Sequence, residues 1–181
     1  MADRHLVVLS GSLRKQSVNT VVARALLAQL PSGFTGQLVD LRPLPMFDQD
    51  LEGAGDPRAV TGLKQAVLDA HGIIMVTPEY NVGVPAVAKN AVDWLSRPYG
   101  NGPITGRAAG IISASPGSRG GIGARAHLAD SLGVLTEHLF GDTLGLARVG
   151  DDIEDGRLGG ASLDNLVAWL QRFCAHTSAT T

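Results

Sequence analysis

The chain has 181 residues, 44% apolar, 18% charged and only 4% aromatic, with 23 glycines and a formal charge of −2. That length suits a full core in one domain over residues 1–181. The near-neutral balance lacks the basic face of a nucleic-acid or anionic-membrane binder, and no apolar run approaches the roughly 18 residues of a membrane helix. Met1–Arg4 leads directly into a strand pattern. The single cysteine, Cys174, cannot form an internal disulfide, which fits a reducing compartment; a cytoplasmic location is the expectation.

"HLVVLS" (5–10) is a short, β-branched apolar run bounded by "GS", the pattern of a buried strand. From Ser17 to Leu30 the period changes: Val18, Val21, Val22, Ala25, Leu26 and Leu30 form one helical face, ended by Pro31-Ser32-Gly33. "GQLVDL" (36–41) is the second strand. An irregular stretch with prolines at 43, 45 and 57 follows, and Pro57 suits the first turn of a helix running to about His71. "GIIMVT" (72–77) is the third strand, and Pro85 opens a helix closed by Pro98. "RAAGIISASPG" (107–117) is the fourth, after which "GSRGGIG" feeds a helix from about Ala124 to His138. A weaker strand lies within 143–149, then an acidic loop, then a helix from Ser162 to about His176. "TSATT" (177–181) is expected to fray.

Five strand–helix alternations predict an α/β, doubly wound parallel sheet with right-handed crossovers. Such sheets bind ligands beyond the carboxyl ends of their strands, where the strand order reverses. The three most unusual segments, 10–20, 78–81 and 115–121, all follow strands and are expected along one edge.

The first, "SGSLRKQSVNT", lacks the spacing of a P-loop or of a dinucleotide fingerprint. It offers hydroxyls at Ser10, Ser12, Ser17 and Thr20, the Arg14 guanidinium, the Asn19 amide and the free N–H groups of a helix start, a donor set suited to phosphate. The same residues also read as a Ser17 helix cap with solvated neighbours. In the second, Pro78 holds the preceding residue extended, so that Glu79, Tyr80 and Asn81 can border a flat heteroaromatic ring. Glu79 has three readings: a helix cap, a partner for a basic residue across a subunit interface, or a pocket wall. In the third, Ser115, Gly117, Gly120 and Gly121 combine small size with free N–H groups, and the two later glycines leave room for a planar ligand. Arg119 faces either a second substrate's phosphate or water. Cys174 reads as a packed hydrophobe.

"GSLRKQSVNT", "PEYNVGVPAVAKNAVDWLSR" and "SASPGSRGG" resemble motifs of the NADPH-dependent FMN reductase family, flavodoxin-like quinone, azo-dye and chromate reductases, in the right order over residues 5 to about 135. The resemblance implies a flavodoxin-like three-layer sandwich with a five-stranded parallel sheet in the order 2-1-3-4-5. It implies non-covalent FMN, NAD(P)H as co-substrate, a small-molecule acceptor (quinone, free flavin, azo compound or metal oxyanion) and a homodimer or homotetramer. Carried over by position, Ser10, Ser12, Arg14, Ser17, Asn19 and Thr20 would hold the phosphate and ribityl region. Pro78, Glu79, Tyr80 and Asn81 would border the isoalloxazine, with Ser115, Gly117, Gly120 and Gly121 on its other side. Ala88 stands where relatives often carry leucine, which bears on local packing.

The five histidines show no paired metal-ligand spacing, "DDIEDG" (151–156) lacks the ligands of a calcium loop, and no G-x-S-x-G elbow is present. The expected activity is hydride transfer from NAD(P)H through FMN N5 to an acceptor by a ping-pong route, with no protein acid or base named. The alternative is a flavodoxin-like carrier or binding module that holds flavin without consuming NAD(P)H. Such carriers are usually strongly acidic, unlike this chain.

Overall fold

The first apolar run becomes β1, Arg4–Ser10, the inner neighbour of the edge strand β2, Phe34–Val39, in a computed structural model that describes residues 3–180. With β3 (Gly72–Thr77), β4 (Ala108–Ala114) and β5 (Leu144–Leu146) they form one parallel sheet in the order β2-β1-β3-β4-β5, the order expected. Every residue of β3 and β4 is buried, as parallel strands covered on both faces require.

The alternation of side chains sorts the core into two layers. Leu6, Val8, Ile74 and Val76 face α1 (Val18–Ala28) and α6 (Gly160–Ala179), whereas Val7, Leu9, Ile73 and Met75 face α3 (Arg58–Leu68), α4 (Ala86–Leu95) and α5 (Ile122–Gly133). Pro57 and Pro85 sit one place earlier than the first helical turn, as the capping residues of α3 and α4; their fixed φ of −54° and −60° starts the helix without sacrificing a needed N–H. No helix among the described residues is long and apolar enough to cross a membrane.

Several boundaries move. The Pro-rich stretch contains a five-residue helix, α2 (Gln49–Gly53), held by Asp48, whose carboxylate accepts from Asp50 N at 2.9 Å. β4 stops at Ala114 and α5 at Gly133, five residues short of the expected His138. The acidic "DDIEDG" becomes a 3₁₀ turn, Val149–Asp152, and one arm of a hairpin of β6 (Ile153–Glu154) and β7 (Arg157–Leu158).

The tail expected to fray from 177 is corrected: α6 continues to Ala179 with Thr177 fully buried, because Phe173, Cys174 and Thr177 extend one inward stripe. Thr181 lies outside the described residues. Burial pushes the Cys174 thiol up to about 11, so it stays neutral and behaves as a packed hydrophobe.

Three of the eight Phe, Trp and Tyr residues gather beneath β4 and β5. Trp169 and Phe173 of α6 stack at 5.3 Å, Phe140 meets both edge-on, and Gly110 of β4 leaves them room. A Cβ at Gly110 would stand 2.7 Å from the Trp169 ring and 2.8 Å from that of Phe173. Gly110→Ala is therefore expected to destabilise the protein by about 1–3 kcal/mol through overpacking, read as a lower urea midpoint at unchanged slope.

Candidate functional site

β1, β3 and β4 are neighbours, so the loops that leave them lie side by side at the carboxyl edge of the sheet, where the chain's course reverses between β1 and β3. Their junctions pack closely. Gly11 N donates to the Val76 carbonyl at 2.8 Å, and a Cβ at Gly11 would come within 2.8 Å of Thr77 Oγ1 and 3.1 Å of Ala88. Ala88 of α4 is fully buried there, so the small residue lets the helix approach the first loop closely.

In the first loop Ser17 caps α1: its Oγ accepts from Thr20 N, while Ser10 and Thr20 hydroxyls pair at 3.0 Å. Ser10 and Ser12 are buried at the loop's base, and Arg14 is exposed on its outer side. Asn19 takes a different place from that expected. Only 2% exposed, it donates from Nδ2 to the Ala114 carbonyl at 3.0 Å and accepts from Ala114 N at 3.1 Å. It clamps α1 to the end of β4, two strands over from β1, rather than offering its amide outward.

The second loop is a two-residue hairpin. Tyr80 and Gly83 exchange N–H···O bonds at 3.0 Å, and the central residues are left-handed, Asn81 at φ 52° and Val82 at φ 64°. Asparagine tolerates this region; a branched valine is strained. Tyr80 is 53% exposed and Val82 55% exposed. Glu79 caps α5, the first of its three readings: Oε2 accepts from Ala124 N, in the first turn of the helix, at 3.0 Å. Gly123 makes the approach possible, since a Cβ there would stand 2.8 Å from Glu79 Oε2 and would strike the Val82 carbonyl.

In the third loop Ser115 Oγ donates to the Gly117 carbonyl at 3.1 Å, and Ser115 N donates to Leu146 O of β5 at 3.0 Å. Gly120 and Gly121 are left-handed, at φ 55° and 66°. The space they leave is internal, which corrects the expected reason for them. Their missing Cβ atoms would meet Gly145, at 3.1 Å, and Ser113, at 2.7 Å, not a ligand outside.

One residue of this edge carries no sequence signal of its own: Arg125, in the first turns of α5. Its Nη1 donates to the Gly120 carbonyl at 3.2 Å, and Ser113 Oγ donates to the same oxygen. Burial pulls the guanidinium's pKa down and Glu79 pushes it back up.

The edge as a whole presents hydroxyls, an exposed guanidinium, a helix N-terminus and an exposed tyrosine beside two tight turns. This donor set fits a phosphate-tailed aromatic group. A cavity of about 130 Å³ adjoins it, lined by Ser10, Ser12, Thr20, Arg24, Asp40 and Arg42. A roomier cavity of about 520 Å³, lined by Gly102, Ile104, Thr105, Val134 and Thr136, opens at the opposite end of the sheet. Volume favours the second, but the converging donors favour the first, and orientation of a polar ligand depends on donors.

Two substitutions test this geometry. Asn19→Ala leaves the buried N–H and C=O of Ala114 without their partner, with an expected loss of about 1–3 kcal/mol for each group, measurable by urea unfolding. Val82→Gly is expected to raise stability by about 1 kcal/mol, the left-handed penalty of a branched residue less the chain entropy of glycine; an unchanged or lower melting temperature would contradict the strain.

A family model described as NADPH-dependent FMN reductase matches residues 4–148. A 2-hydroxy-1,4-benzoquinone reductase from a Burkholderia species is 42% identical over 123 residues, 68% of this chain and 67% of its own length. An NAD(P)H-dependent FMN reductase of Pseudomonas aeruginosa is 35% identical over 136 residues, 75% and 73% of the two chains. Among solved structures, FerB, a flavoenzyme NAD(P)H:(acceptor) oxidoreductase from Paracoccus denitrificans, superposes with a TM-score of 0.85 at 28% identity, covering 97% of this chain and 98% of its own. With its flavodoxin-like sheet order and strand-end loops, the chain belongs to the NADPH-dependent FMN reductase family, oxidoreductases with FMN as cofactor and NAD(P)H as co-substrate.

Proposed function

We propose that residues 1–181 form one FMN-binding domain, that the loops after β1, β3 and β4 hold the cofactor, and that the protein reduces quinone-type acceptors with NAD(P)H. The convergence of the three donor-bearing loops on one sheet edge carries this reading. The quinone reductase relatives support the acceptor class. FMN held there would supply two-electron redox chemistry, with N5 as the proposed position for hydride.

The protein's part is binding and orientation. Ser10, Ser12, Ser17 and Thr20, with Arg14, would bring hydroxyls, a guanidinium and the α1 N-terminus to the phosphate and ribityl groups. Asn19 would act from behind, fixing α1 against β4. Pro78, Glu79, Tyr80 and Asn81 would border one side of the ring, and Ser115, Gly117, Gly120 and Gly121 the other. Donor and acceptor would use the same exposed ring face in turn, which is the ping-pong order. A homodimer or homotetramer and a cytoplasmic setting belong to the same proposal, the latter resting on the one unpaired cysteine.

The first test is a visible spectrum of the purified protein and its anaerobic titration with NADPH and NADH. Bleaching of a flavin spectrum supports a reductase and names the preferred donor; bound flavin that neither nucleotide bleaches would favour a carrier or binding module. Steady-state rates with a quinone should give parallel double-reciprocal lines, and intersecting lines would refute the shared face. Free flavin, an azo dye and chromate serve as competing acceptors. Arg14→Ala should weaken FMN about tenfold, the loss of a charge-assisted hydrogen bond, and leave riboflavin, which has no phosphate, bound as before.

A further inference from the structure

Arg125 is a charged residue spent on a backbone carbonyl. Its Nη1 and the Ser113 hydroxyl both donate to the Gly120 oxygen, which is thereby held toward the sheet. The guanidinium lies against Gly145 of β5, where a Cβ would overlap Nη1, so the glycine leaves room for it. Its Nε is buried with no partner among the described residues, a cost that a merely solvated surface arginine would not bear. Glu79, bound to Ala124 N on the same helix turn, supplies the compensating negative charge and ties the second loop to the third.

The peptide joining Gly120 to Gly121 is planar and trans, so a carbonyl drawn inward turns the Gly121 N–H outward, away from Ser113 and Arg125. The left-handed φ of both glycines permits that orientation. A cation behind the carbonyl also polarises the peptide and strengthens its N–H as a donor. We infer that Arg125, together with Ser113, is a positioning residue that aims the Gly121 N–H at the flavin ring and so favours its electron-rich reduced form. The inference rests on the reading that the third loop borders the ring, and it assigns the orienting role to residues that make no contact with the cofactor themselves.

Three variants test it: Arg125→Met removes the donor and its charge, Arg125→Lys keeps the charge without the planar fork, and Gly145→Ala displaces the guanidinium while leaving it charged. Each is compared with wild type by thermal melting of the apo-protein, fluorescence titration with FMN, and dye-equilibrated midpoint potential. The expected result is FMN binding about tenfold weaker in Arg125→Met, the scale of one charged hydrogen bond, with a lower midpoint potential. Gly145→Ala should shift both readouts in the same direction, and Arg125→Lys should recover part of each. Unchanged affinity and potential in whichever variants fold, even with a lowered melting temperature, would overturn the positioning role and leave a structural one. Wild-type protein that takes up no FMN would instead refute the reading of the loops, and this inference with it.

Discussion

The buried amide of Asn19 holds both backbone groups of Ala114, 95 residues away, and through them sets where α1 begins relative to the end of β4. β3 lies between β1 and β4, so the contact spans the centre of the sheet. The helix N-terminus of the first loop and the start of the third are therefore fixed in one frame by a single side chain. A ligand whose phosphate sits at one loop and whose ring reaches another is held in one orientation only if that frame is rigid.

Rigidity at this edge is achieved with small residues and polar closures more than with apolar bulk. Gly11 lies against Thr77 and Ala88, Gly121 against Ser113, and Gly123 under Val82 and Glu79. Each close approach lets one loop rest on its neighbour, and each fixes a peptide plane. Large side chains pack elsewhere: Trp169 and Phe173 stack under β4 and β5 with Phe140 edge-on to both, and Trp94 donates to the Pro45 carbonyl at 2.9 Å, pinning the irregular stretch after β2.

The charge arrangement follows the same division. Most ion pairs are peripheral, such as Arg42 with Asp40 and Arg172 with Asp142, and contribute little to stability. Glu79 and Arg125 are different, for each is bonded to backbone at the third loop and the start of α5. Burial works against the guanidinium's charge, and the nearby negative charge of Glu79 offsets part of that cost. Their shared work is to hold two loops in register at the edge where the chemistry is proposed.

The order of elements was legible in the sequence because its signals are local. Buried parallel strands read as unbroken apolar runs, helices as a 3.6-residue period, and Pro57, Pro85 and Pro98 as punctuation. The motifs that carry the family resemblance are also contiguous, so the fold, the loops and their family could be named from residues alone. What the tertiary structure decided was direction and partnership. α2 was too short to show a period, and α6 outran its expected end because Thr177 is buried by neighbours the local pattern does not contain. Asn19 reads as a loop donor until Ala114 is seen beside it, Gly120 and Gly121 make room inward instead of outward, and Arg125 has no motif at all. Each depends on atoms contributed by another strand or loop of the folded chain, and a hydrogen bond needs its donor within about 3 Å, a distance that only the folded chain defines.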